Sequence, residues 1–407
     1  MTTRPQHQPT EPASARPTAA LIIGGGIAGP VVAMFLQRAG IAPVIYEGQP
    51  GPADETGAFL NLAPNGLAVL ETLGVAGEII ARGTPTTSIE FLNHRGRRLG
   101  VLPEATLLIR RGSLNRALRE AAAARGIRFE FGKRLVEVRT PPNGGVSARF
   151  EDGTEARGDL LVGCDGIHSA TRRAIMPDAP GPEYTGVIDS GGFAPAPLQS
   201  GPDGVMRMIF GLHGFFGYQV VPSGQAFWFE NFHEPSAPER GALEAVPDLE
   251  WRRRLLETHV GDPQPVSDII WSAAEPIGRW PIYDLPTLPA WHRGPVCLIG
   301  DAAHATSPHA GQGASLALED AIVLGRCLRD IPNLERAFAT FEAQRRPRVE
   351  KLVREARRQG RRKAAGSPLS RRVRDLVLPF FLELGVRNLR KIYAYRVDWA
   401  ERAANVA

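Results

Sequence analysis

The chain has 407 residues, of which 43% are hydrophobic and 22% charged, and its formal net charge is +5. This composition excludes a collagen-like, low-complexity or disulfide-rich chain, and the length favours two packed lobes over one small core. The excess positive charge lies largely between Arg345 and Arg374 without interleaved aromatic residues, which favours an exposed helix face over a nucleic-acid surface.

The cysteines and the N-terminal residues bear on the cellular setting. Cys164, Cys297 and Cys327 are odd in number and form no CxxC pair, which favours a reduced, cytoplasmic setting over a disulfide framework. Residues 1–18 are polar and proline-rich and are predicted to be a disordered tail. No run approaches the about 20 apolar residues of a membrane span, so no integral membrane segment is expected.

The first predicted unit is a strand, a helix and a second strand. Residues 20–25 form a short apolar run that glycine stops, which is typical of a buried parallel strand. Residues 27–39 predict a helix that ends at Gly40, and residues 43–47 predict the next strand. This βαβ order indicates the opening of a doubly wound sheet.

The remaining patterns alternate between helix and strand periodicity. In chain order they predict a loop and helix over 61–74, strands over 84–102 with a polar turn at 93–98, a helix over 113–125 capped by Ser113, a buried strand at 160–166, short antiparallel strands over 181–280, a buried strand at 296–303, and helices over 313–330, 333–363, 370–384 and 386–403.

These elements predict an α/β fold with two lobes. A Rossmann-type, doubly wound nucleotide-binding domain takes residues 19–75, 105–180 and 285–360, so it is discontinuous in sequence. An antiparallel-sheet domain of residues 76–104 and 181–284 is inserted between these pieces, and residues 361–407 form C-terminal helices.

The first motif predicts dinucleotide binding. Gly24, Gly26 and Gly29 match GxGxxG between a strand and a helix, with Ala28 inside the motif. The three glycines allow the tight turn, the approach of a pyrophosphate and the packing of helix on strand. Glu47 falls 21 residues after Gly26, where a carboxylate accepts hydrogen bonds from ribose hydroxyls. The alternative is a glycine-rich turn with an incidental glutamate.

Two further glycine-marked segments follow other buried strands. Asp165 ends one strand and Asp301 ends another, and each could contact a cofactor or simply cap the next helix. Pro308 leads into Gly311, Gln312 and Gly313, which open a long helix. Amides at such a helix N-terminus could stabilise negative charge on a reduced ring, and a plain glycine turn is the alternative.

The three segments together resemble the fingerprints of the single-component FAD monooxygenases, the flavoprotein aromatic hydroxylases typified by para-hydroxybenzoate hydroxylase and salicylate hydroxylase, with tetracycline-inactivating oxygenases among their relatives. GGGIAG, CDGIHSATRR and GDAAHATSPHAGQG carry the resemblance, which covers residues 19–360. It implies FAD, with NADPH or NADH as reductant, and O2 as co-substrate. It also implies that Arg111 contacts FAD and that Asn61 and Asn65 line the flavin edge.

The implied reaction is hydroxylation or epoxidation of an aromatic or polycyclic small molecule through a hydroperoxide of the flavin, and secondary metabolism or antibiotic modification is its expected setting. One departure concerns the reductant, because many relatives carry an arginine just after the strand of Glu47, and residues 48–57 contain none. The manner in which NADPH or NADH docks therefore stays open at this stage.

Aromatic residues in the predicted sheet suggest a wall of the substrate pocket. The candidates are Phe210, His213, Tyr218, Phe227 and Phe229, with His213 as a possible base or substrate anchor. The alternative is that these side chains pack the core, as aromatic residues in antiparallel sheets usually do.

Two other functions remain open from sequence. One is an FAD-dependent oxidoreductase that inserts no oxygen, and the other is a non-catalytic binding protein on the flavin fold. No histidine or cysteine spacing indicates a metal site, so no metal is expected. The expected partners are small molecules rather than nucleic acid, and the expected assembly is a monomer or weak homodimer.

Overall fold

A computed structural model describes residues 16–403 apart from 53, 55, 56, 198–200, 202 and 364–367. Most of the tail predicted for residues 1–18 lies outside the described residues. The strands are β1 (Ala19–Ile23), β2 (Ala42–Tyr46), β3 (Phe59–Leu62), β4 (Thr84–Asn93), β5 (Arg98–Arg110), β6 (Arg128–Glu130), β7 (Leu135–Arg139), β8 (Val146–Phe150), β9 (Glu155–Gly158), β10 (Leu160–Gly163), β11 (Glu183–Pro195), β12 (Val205–Phe210), β13 (Phe215–Val221), β14 (Gln225–His233), β15 (Gly278–Asp284), β16 (His292–Arg293) and β17 (Val296–Leu298).

The helices predicted over 27–39, 61–74, 113–125, 313–330 and 333–363 are present, but two further helices at 248–258 and 266–272 lie inside 181–280, where short antiparallel strands were predicted. They are α1 (Ala28–Arg38), α2 (Pro64–Leu73), α3 (Ala76–Ile80), α4 (Arg111–Ala123), α5 (Ala170–Ile175), α6 (Asp248–Thr258), α7 (Val266–Ser272), α8 (Asp301–His304), α9 (Gly313–Asp330), α10 (Leu334–Lys363) and α11 (Pro368–Tyr393). A 3-10 turn spans Pro308–Ala310. No helix within these described ranges is long and apolar enough to cross a membrane.

A six-stranded sheet forms the nucleotide-binding core in the order β16-β17-β10-β1-β2-β6. β1 pairs in parallel with β2 and with β10, and β10 pairs in parallel with β17. The apolar run of β1 is buried on both faces, as the sequence predicts for a parallel strand covered by helices. Because these strands are parallel, their carboxyl ends meet at one edge of the sheet, where ligands bind in such folds.

An eight-stranded sheet has the order β15-β11-β14-β13-β12-β4-β5-β3. Four strands separate β3 from β14, which in a flat sheet would hold them about 24 Å apart. Phe59 of β3 and Phe227 of β14 nevertheless have ring centroids 5.4 Å apart, and Arg110 Nη2 donates to Gln225 Oε1 at 3.0 Å. The sheet is therefore strongly curled, with a concave face on which Phe59 and Phe227 meet.

The opposite, convex face of this sheet is covered by α6 and α7. Phe216, Tyr218 and Trp228 pack there in a cluster with Trp251 of α6 and Ile269 of α7. A small third sheet has the order β7-β8-β9. These layers confirm the predicted α/β class with an antiparallel-rich second sheet and C-terminal helices.

Sheet membership and the predicted domain ranges do not coincide everywhere. β3 falls in the range 19–75 predicted for the nucleotide-binding domain, yet it pairs with β5 in the curled sheet. The residues of β5 also cross the predicted boundary at 105. The division into two domains itself stays a prediction.

Predicted helix boundaries are wrong at the start of α4 and in the C-terminal helices. Ser113 does not cap α4, because β5 passes directly into a helix that begins at Arg111, whose N–H donates to Ala58 O at 3.0 Å. The predicted break near Gly385 is also absent, since α11 continues through it to Tyr393. A glycine costs a helix interior only about 1 kcal/mol, which the packing of α11 on β5 outweighs.

Residues 394–403 are not helical, contrary to the predicted helix over 386–403. Side-chain contacts dock this segment instead. Trp399 packs on Phe35 of α1 with ring centroids 5.1 Å apart, and the Arg329 guanidinium lies 4.7 Å from the same indole.

Candidate functional site

The three glycine-marked segments converge at the carboxyl edge of the parallel sheet. Gly24 follows β1, Glu47 follows β2, Asp165 follows β10 and Asp301 follows β17. The backbones touch, because a Cβ added to Gly24 would lie 2.5 Å from Cys164 O. The site is thus assembled from segments that are distant in sequence.

Each glycine of the first motif has its own steric reason. Gly24 has a φ of 105°, and a Cβ on Gly29 would lie 2.0 Å from Gly24 O. A Cβ on Gly26 would meet no protein atom within 4 Å. Gly24 and Gly29 therefore shape the turn, while Gly26 leaves bare backbone beside open space, as the approach of a pyrophosphate requires.

Glu47 lies beside this turn with its carboxylate oriented by backbone donors. Its Oε2 accepts from Gly25 N at 2.7 Å, and its Oε1 accepts from Gln49 N at 2.8 Å. An ionised carboxylate has about four acceptor sites, so these two bonds leave acceptor capacity for ribose hydroxyls.

Asp165 binds the first turn of α5. This is the capping role that the sequence analysis gave as the alternative to cofactor contact. Its Oδ1 accepts from Ser169 Oγ at 2.5 Å, and its Oδ2 accepts from Thr171 N at 2.9 Å. The neighbouring Arg172 is buried and donates to Ala302 O at 2.9 Å and to Ile167 O at 2.6 Å. The second segment is thereby locked to the third, and cofactor contact by Asp165 stays a prediction.

Asp301 lies on the floor of a cleft. Its side chain is accessible to solvent, although protein surrounds it closely enough that burial raises its pKa, with the charges of His304 and Arg111 acting in the opposite sense. Arg111 is exposed at the start of α4, and its Cδ would lie 3.4 Å from a Cβ on Gly57. Asp301 and Arg111 therefore lie close together, and the parallel pairing of β2 with β1 brings Glu47 to the same edge of the sheet as Asp301.

The third segment supplies an uncapped helix N-terminus. Pro308 starts the 3-10 turn, Gly311 has a left-handed φ of 60°, and Gln312 is the N-cap of α9 without a side-chain capping bond. The first turn from Gly313 holds no acidic residue. The amides of this turn have no intrahelical acceptor, so they can stabilise an anionic ring.

The residues present fit FAD. A Cβ at Gly311, as at Gly26, would meet nothing within 4 Å, so bare backbone borders open space both after β1 and before α9. The Glu47 carboxylate, the helix N-terminus of α1 and that of α9 provide the donor and acceptor types that an adenine dinucleotide and an isoalloxazine ring need.

A buried charge network lies behind this cleft, and the sequence analysis missed it. His304 Nε2 lies 2.5 Å from Asp320 Oδ2, and Arg345 Nε donates to Asp320 Oδ1 at 2.8 Å. Burial alone would raise the pKa of Asp320, but His304 and Arg345 outweigh it and hold that pKa below its usual value. The available sequence signal was the pair Glu319–Asp320 inside the apolar run of α9, because buried carboxylates require partners.

The charges between Arg345 and Arg374 were expected to be exposed. This expectation is wrong for the first residues of the stretch. Arg345 is fully buried, and its Nη1 lies 2.7 Å from Glu319 Oε2. Arg348 and Arg357 are also paired, with Glu319 and with Asp284. Carboxylates on α9 and β15 attract this face of α10, which the charge count of the helix alone does not show.

An aromatic wall follows the concave face of the curled sheet. The predicted residues Phe227 and Phe229 lie there with Phe59, whose ring centroid is 5.4 Å and 6.3 Å from theirs. Phe193 packs against Phe227 at 4.7 Å. Phe210 joins the wall through Phe215, at 5.1 Å. Phe59 and Phe193 were missed because their strands are distant in sequence from 205–232.

Tyr218 is wrong as a pocket residue. Side chains alternate along β13, so Tyr218 points to the convex face with Phe216, where it is buried beneath α6 and α7. His213 is not brought to the wall's centre either, because it is exposed in the turn between β12 and β13. It lies six residues before Gln219, about 20 Å along the strand direction.

Asn61 lies where the cleft meets the wall. It shares the concave face of β3 with Phe59, two residues away. Its Oδ1 is 3.4 Å from Thr86 Oγ1, which donates at 2.7 Å to the buried Gln219. A polar chain therefore runs from β3 to β13 beside the aromatic rings.

A second buried cluster lies on the convex face. His259 contacts Asp262 through Nδ1 at 2.8 Å and Glu230 through Nε2 at 3.0 Å. Burial opposes protonation, but the two carboxylates outweigh it and raise the pKa of His259 to about 9. His259 is the C-cap of α6, so these contacts fix the end of that helix on the convex face of the sheet. No group of three or more His, Cys, Asp or Glu side chains suited to a metal ion occurs in the described part of the chain.

Comparison with known proteins gives consistent matches over nearly the whole chain. A family model described as an FAD binding domain matches residues 17–356. Aurachin C monooxygenase/isomerase of Stigmatella aurantiaca is 32% identical over 346 residues, which cover 82% of this chain and 86% of that protein. 3-Amino-4-hydroxybenzoate 2-monooxygenase PtnB3 of Streptomyces platensis is 32% identical over 389 residues, 88% of this chain and 91% of that protein.

A solved structure matches at the level of the fold and of the sequence. Klebsiella pneumoniae HpxO complexed with FAD and uric acid has a TM-score of 0.81 and 26% identity, and the match covers 92% of this chain and 96% of that chain.

Proposed function

Because the chain belongs to the FAD-binding-domain family of FAD-dependent aromatic monooxygenases, we propose that it uses NADPH or NADH and O2 to hydroxylate or epoxidise an aromatic or polycyclic small molecule. The observation that carries the proposal is the convergence of the three glycine-marked segments at the carboxyl edge of the parallel sheet, with bare backbone at Gly26 and Gly311 and an aromatic concave face on the curled sheet. Its similarity to the aurachin C enzyme supports a substrate from secondary metabolism or antibiotic modification.

When bound, FAD supplies the hydride acceptance and oxygen activation of such a reaction. Backbone amides after β1 and at the start of α1 would bind its pyrophosphate, and Glu47 would accept from its ribose. The uncapped amides of α9 would stabilise negative charge on the reduced ring, because their dipoles are already oriented. Arg111 adds a positive charge close enough to Asp301 to oppose the effect of burial on the pKa of that carboxyl.

The concave wall would bind the substrate. Phe59, Phe193 and Phe229 are only partly buried, so apolar surface remains for an aromatic ring to cover. The Arg110 guanidinium lies 3.6 Å from the Phe193 ring centroid, at one end of the wall. An apolar wall of this kind excludes water from the reacting atoms, and loss of activated oxygen to solvent is thereby reduced.

The test uses the purified full chain. We expect a yellow protein whose NAD(P)H consumption an aromatic substrate accelerates, with a product heavier by one oxygen atom. A product without added oxygen would instead support an oxidoreductase that inserts none. A colourless protein that binds no FAD on reconstitution would contradict both.

We also propose a cytoplasmic monomer or weak homodimer. The cytoplasmic setting is supported by Cys164, Cys297 and Cys327, which are free thiols, as a reducing compartment maintains them. Light scattering over a concentration series is expected to give the mass of one chain at low concentration, and a stable larger assembly would contradict the proposal.

A further inference from the structure

The start of α9 is tied to α2 by a side chain that does not cap it. Gln312, 2% exposed, directs its amide oxygen to Asn65 Nδ2 at 3.1 Å instead of to the amides of its own helix. The first-turn amides of α9 consequently remain available to a ligand. The backbone at Gln312 is held in place by Asn65 of α2.

Asn65 in turn is fixed by a charged acceptor. Its Nδ2 also donates to Glu319 Oε1 at 2.7 Å, so both hydrogens of this amide nitrogen have acceptors on α9, seven residues apart. Asn65 is 1% exposed and Glu319 is 0% exposed. A hydrogen bond to an ionised acceptor in such a site is among the stronger ones.

Glu319 is held by two arginines of α10. Arg348 donates to both of its oxygens, at 2.9 Å and 2.8 Å, and Arg345 Nη1 lies 2.7 Å from Oε2. Two guanidiniums hold the carboxylate in place, and removing either would leave buried charge uncompensated. The order of contacts is therefore α10 arginines, Glu319, Asn65, Gln312 and the turn that opens α9.

We propose that Asn65 and Glu319 are positioning residues that act through Gln312 to hold the α9 amides in the geometry that favours reduced, anionic FAD over oxidised FAD. The proposal rests on the proposed function, since it requires that these amides face the flavin. Preorganised donors stabilise developing charge because they need no reorganisation, whereas a free Gln312 side chain would let the turn relax away from the ring.

The experiment compares the reduction potential of bound FAD in the full-chain protein and its variants. In Asn65→Leu, which is close in size and donates no hydrogen bond, the preference for reduced over oxidised FAD should fall about tenfold, which for a two-electron couple is about 30 mV. Gln312→Met removes the same hydrogen bond by changing its acceptor, and it should lower the preference for reduced FAD by a similar factor. It replaces Asn65→Leu in the test if that variant folds poorly.

The double variant distinguishes a linked pair from independent contacts. If Asn65 acts through Gln312, the double variant should match either single variant, whereas additive losses would overturn the proposal. Val69→Ala is the control, because it removes buried methyl groups from the same helix without touching Gln312, and it should lower stability and leave the potential unchanged.

Two outcomes distinguish a failure of the positioning role from a failure of the proposed function. Wild-type protein that binds no FAD would contradict the proposed function itself. Wild-type protein that binds FAD, with an unchanged potential in Asn65→Leu and Gln312→Met, or with an equal shift in Val69→Ala, would overturn only the positioning role.

Discussion

At the scale of single residues, the glycines of the first motif differ in what they tolerate. Gly29 faces Gly24 O and Gly24 faces Cys164 O, so a methyl group at either collides with backbone. Gly26 faces open space and its φ is not left-handed, so alanine is compatible with the fold there. Only a ligand gives Gly26 a reason to be glycine.

Gly26→Ala should therefore fold normally and bind FAD at least about tenfold more weakly, because the added methyl group occupies the place of the pyrophosphate. Flavin fluorescence titration of the apoprotein measures this. Gly77→Ala is the matched control, since its methyl group also meets no protein atom but lies in α3, away from the cleft. Equal FAD affinity in all three proteins would refute the role of Gly26.

His259 gives a pH dependence with a defined sign. Its pKa rises from an ordinary value of about 6.5 to about 9 in the folded protein. Stabilisation from its protonated form is complete below the unfolded value and is lost as the pH rises through the folded value. The neighbouring Glu230, whose pKa burial raises despite His259, acts in the same direction.

We expect the unfolding temperature to fall between about pH 6.5 and pH 9, with a loss of the order of 3 kcal/mol in the free energy of unfolding. His259→Gln should be less stable at low pH and show a flatter dependence across that window. Thermal denaturation followed by circular dichroism at several pH values measures both slopes. Parallel curves for the two proteins would show that His259 does not carry the titration.

At the scale of elements, strand alternation decides which aromatic residues can meet a substrate. Phe229 of β14 faces the concave wall and Phe216 of the adjacent β13 faces the convex core. The sequence predicts the alternation but not the curl that makes one face a cavity wall. That curl depends on β3 and β5 meeting β14, a contact between residues more than 110 positions apart.

Phe229→Leu and Phe216→Leu should each cost about 1 kcal/mol of stability, because both remove buried ring area. Only Phe229→Leu should alter catalysis, raising KM for the aromatic substrate by up to about tenfold with a smaller change in kcat. Steady-state kinetics and denaturant unfolding provide the two measurements. A KM that rises as much in Phe216→Leu would place substrate contacts elsewhere.

At the scale of the whole molecule, α10 connects the parallel core to the curled sheet. Its first half binds α9 through Arg345 and Arg348. Farther along, Arg357 donates to Asp284 of β15 and to Glu183 of β11. Asp284 is 1% exposed, so Arg357 pairs with a carboxylate that solvent barely reaches.

Arg357→Met should lower the free energy of unfolding by about 2–3 kcal/mol, because it leaves a buried carboxylate without its cation. Arg354→Met is the control one turn away, since Arg354 reaches Glu350 only at 3.6 Å and is largely exposed, and it should change stability by less than about 0.5 kcal/mol. Chemical denaturation of both variants measures the difference. Similar losses in the two would mean that general helix effects dominate.

The sequence by itself determined the parallel core, the FAD motifs and the limits of α1, α2, α9 and α10, because these depend on local glycine sterics and on apolar periodicity. Gly24, Glu47 and the Gly311–Gly313 turn could be found this way. Tyr218 could not be excluded and Phe59 could not be included, since both depend on the curl of a sheet built from distant strands. The burial of Arg345 and its pairing with Glu319 and Asp320 likewise could not be predicted from sequence. They depend on the packing of α10 on α9, which brings the two carboxylates opposite the arginine.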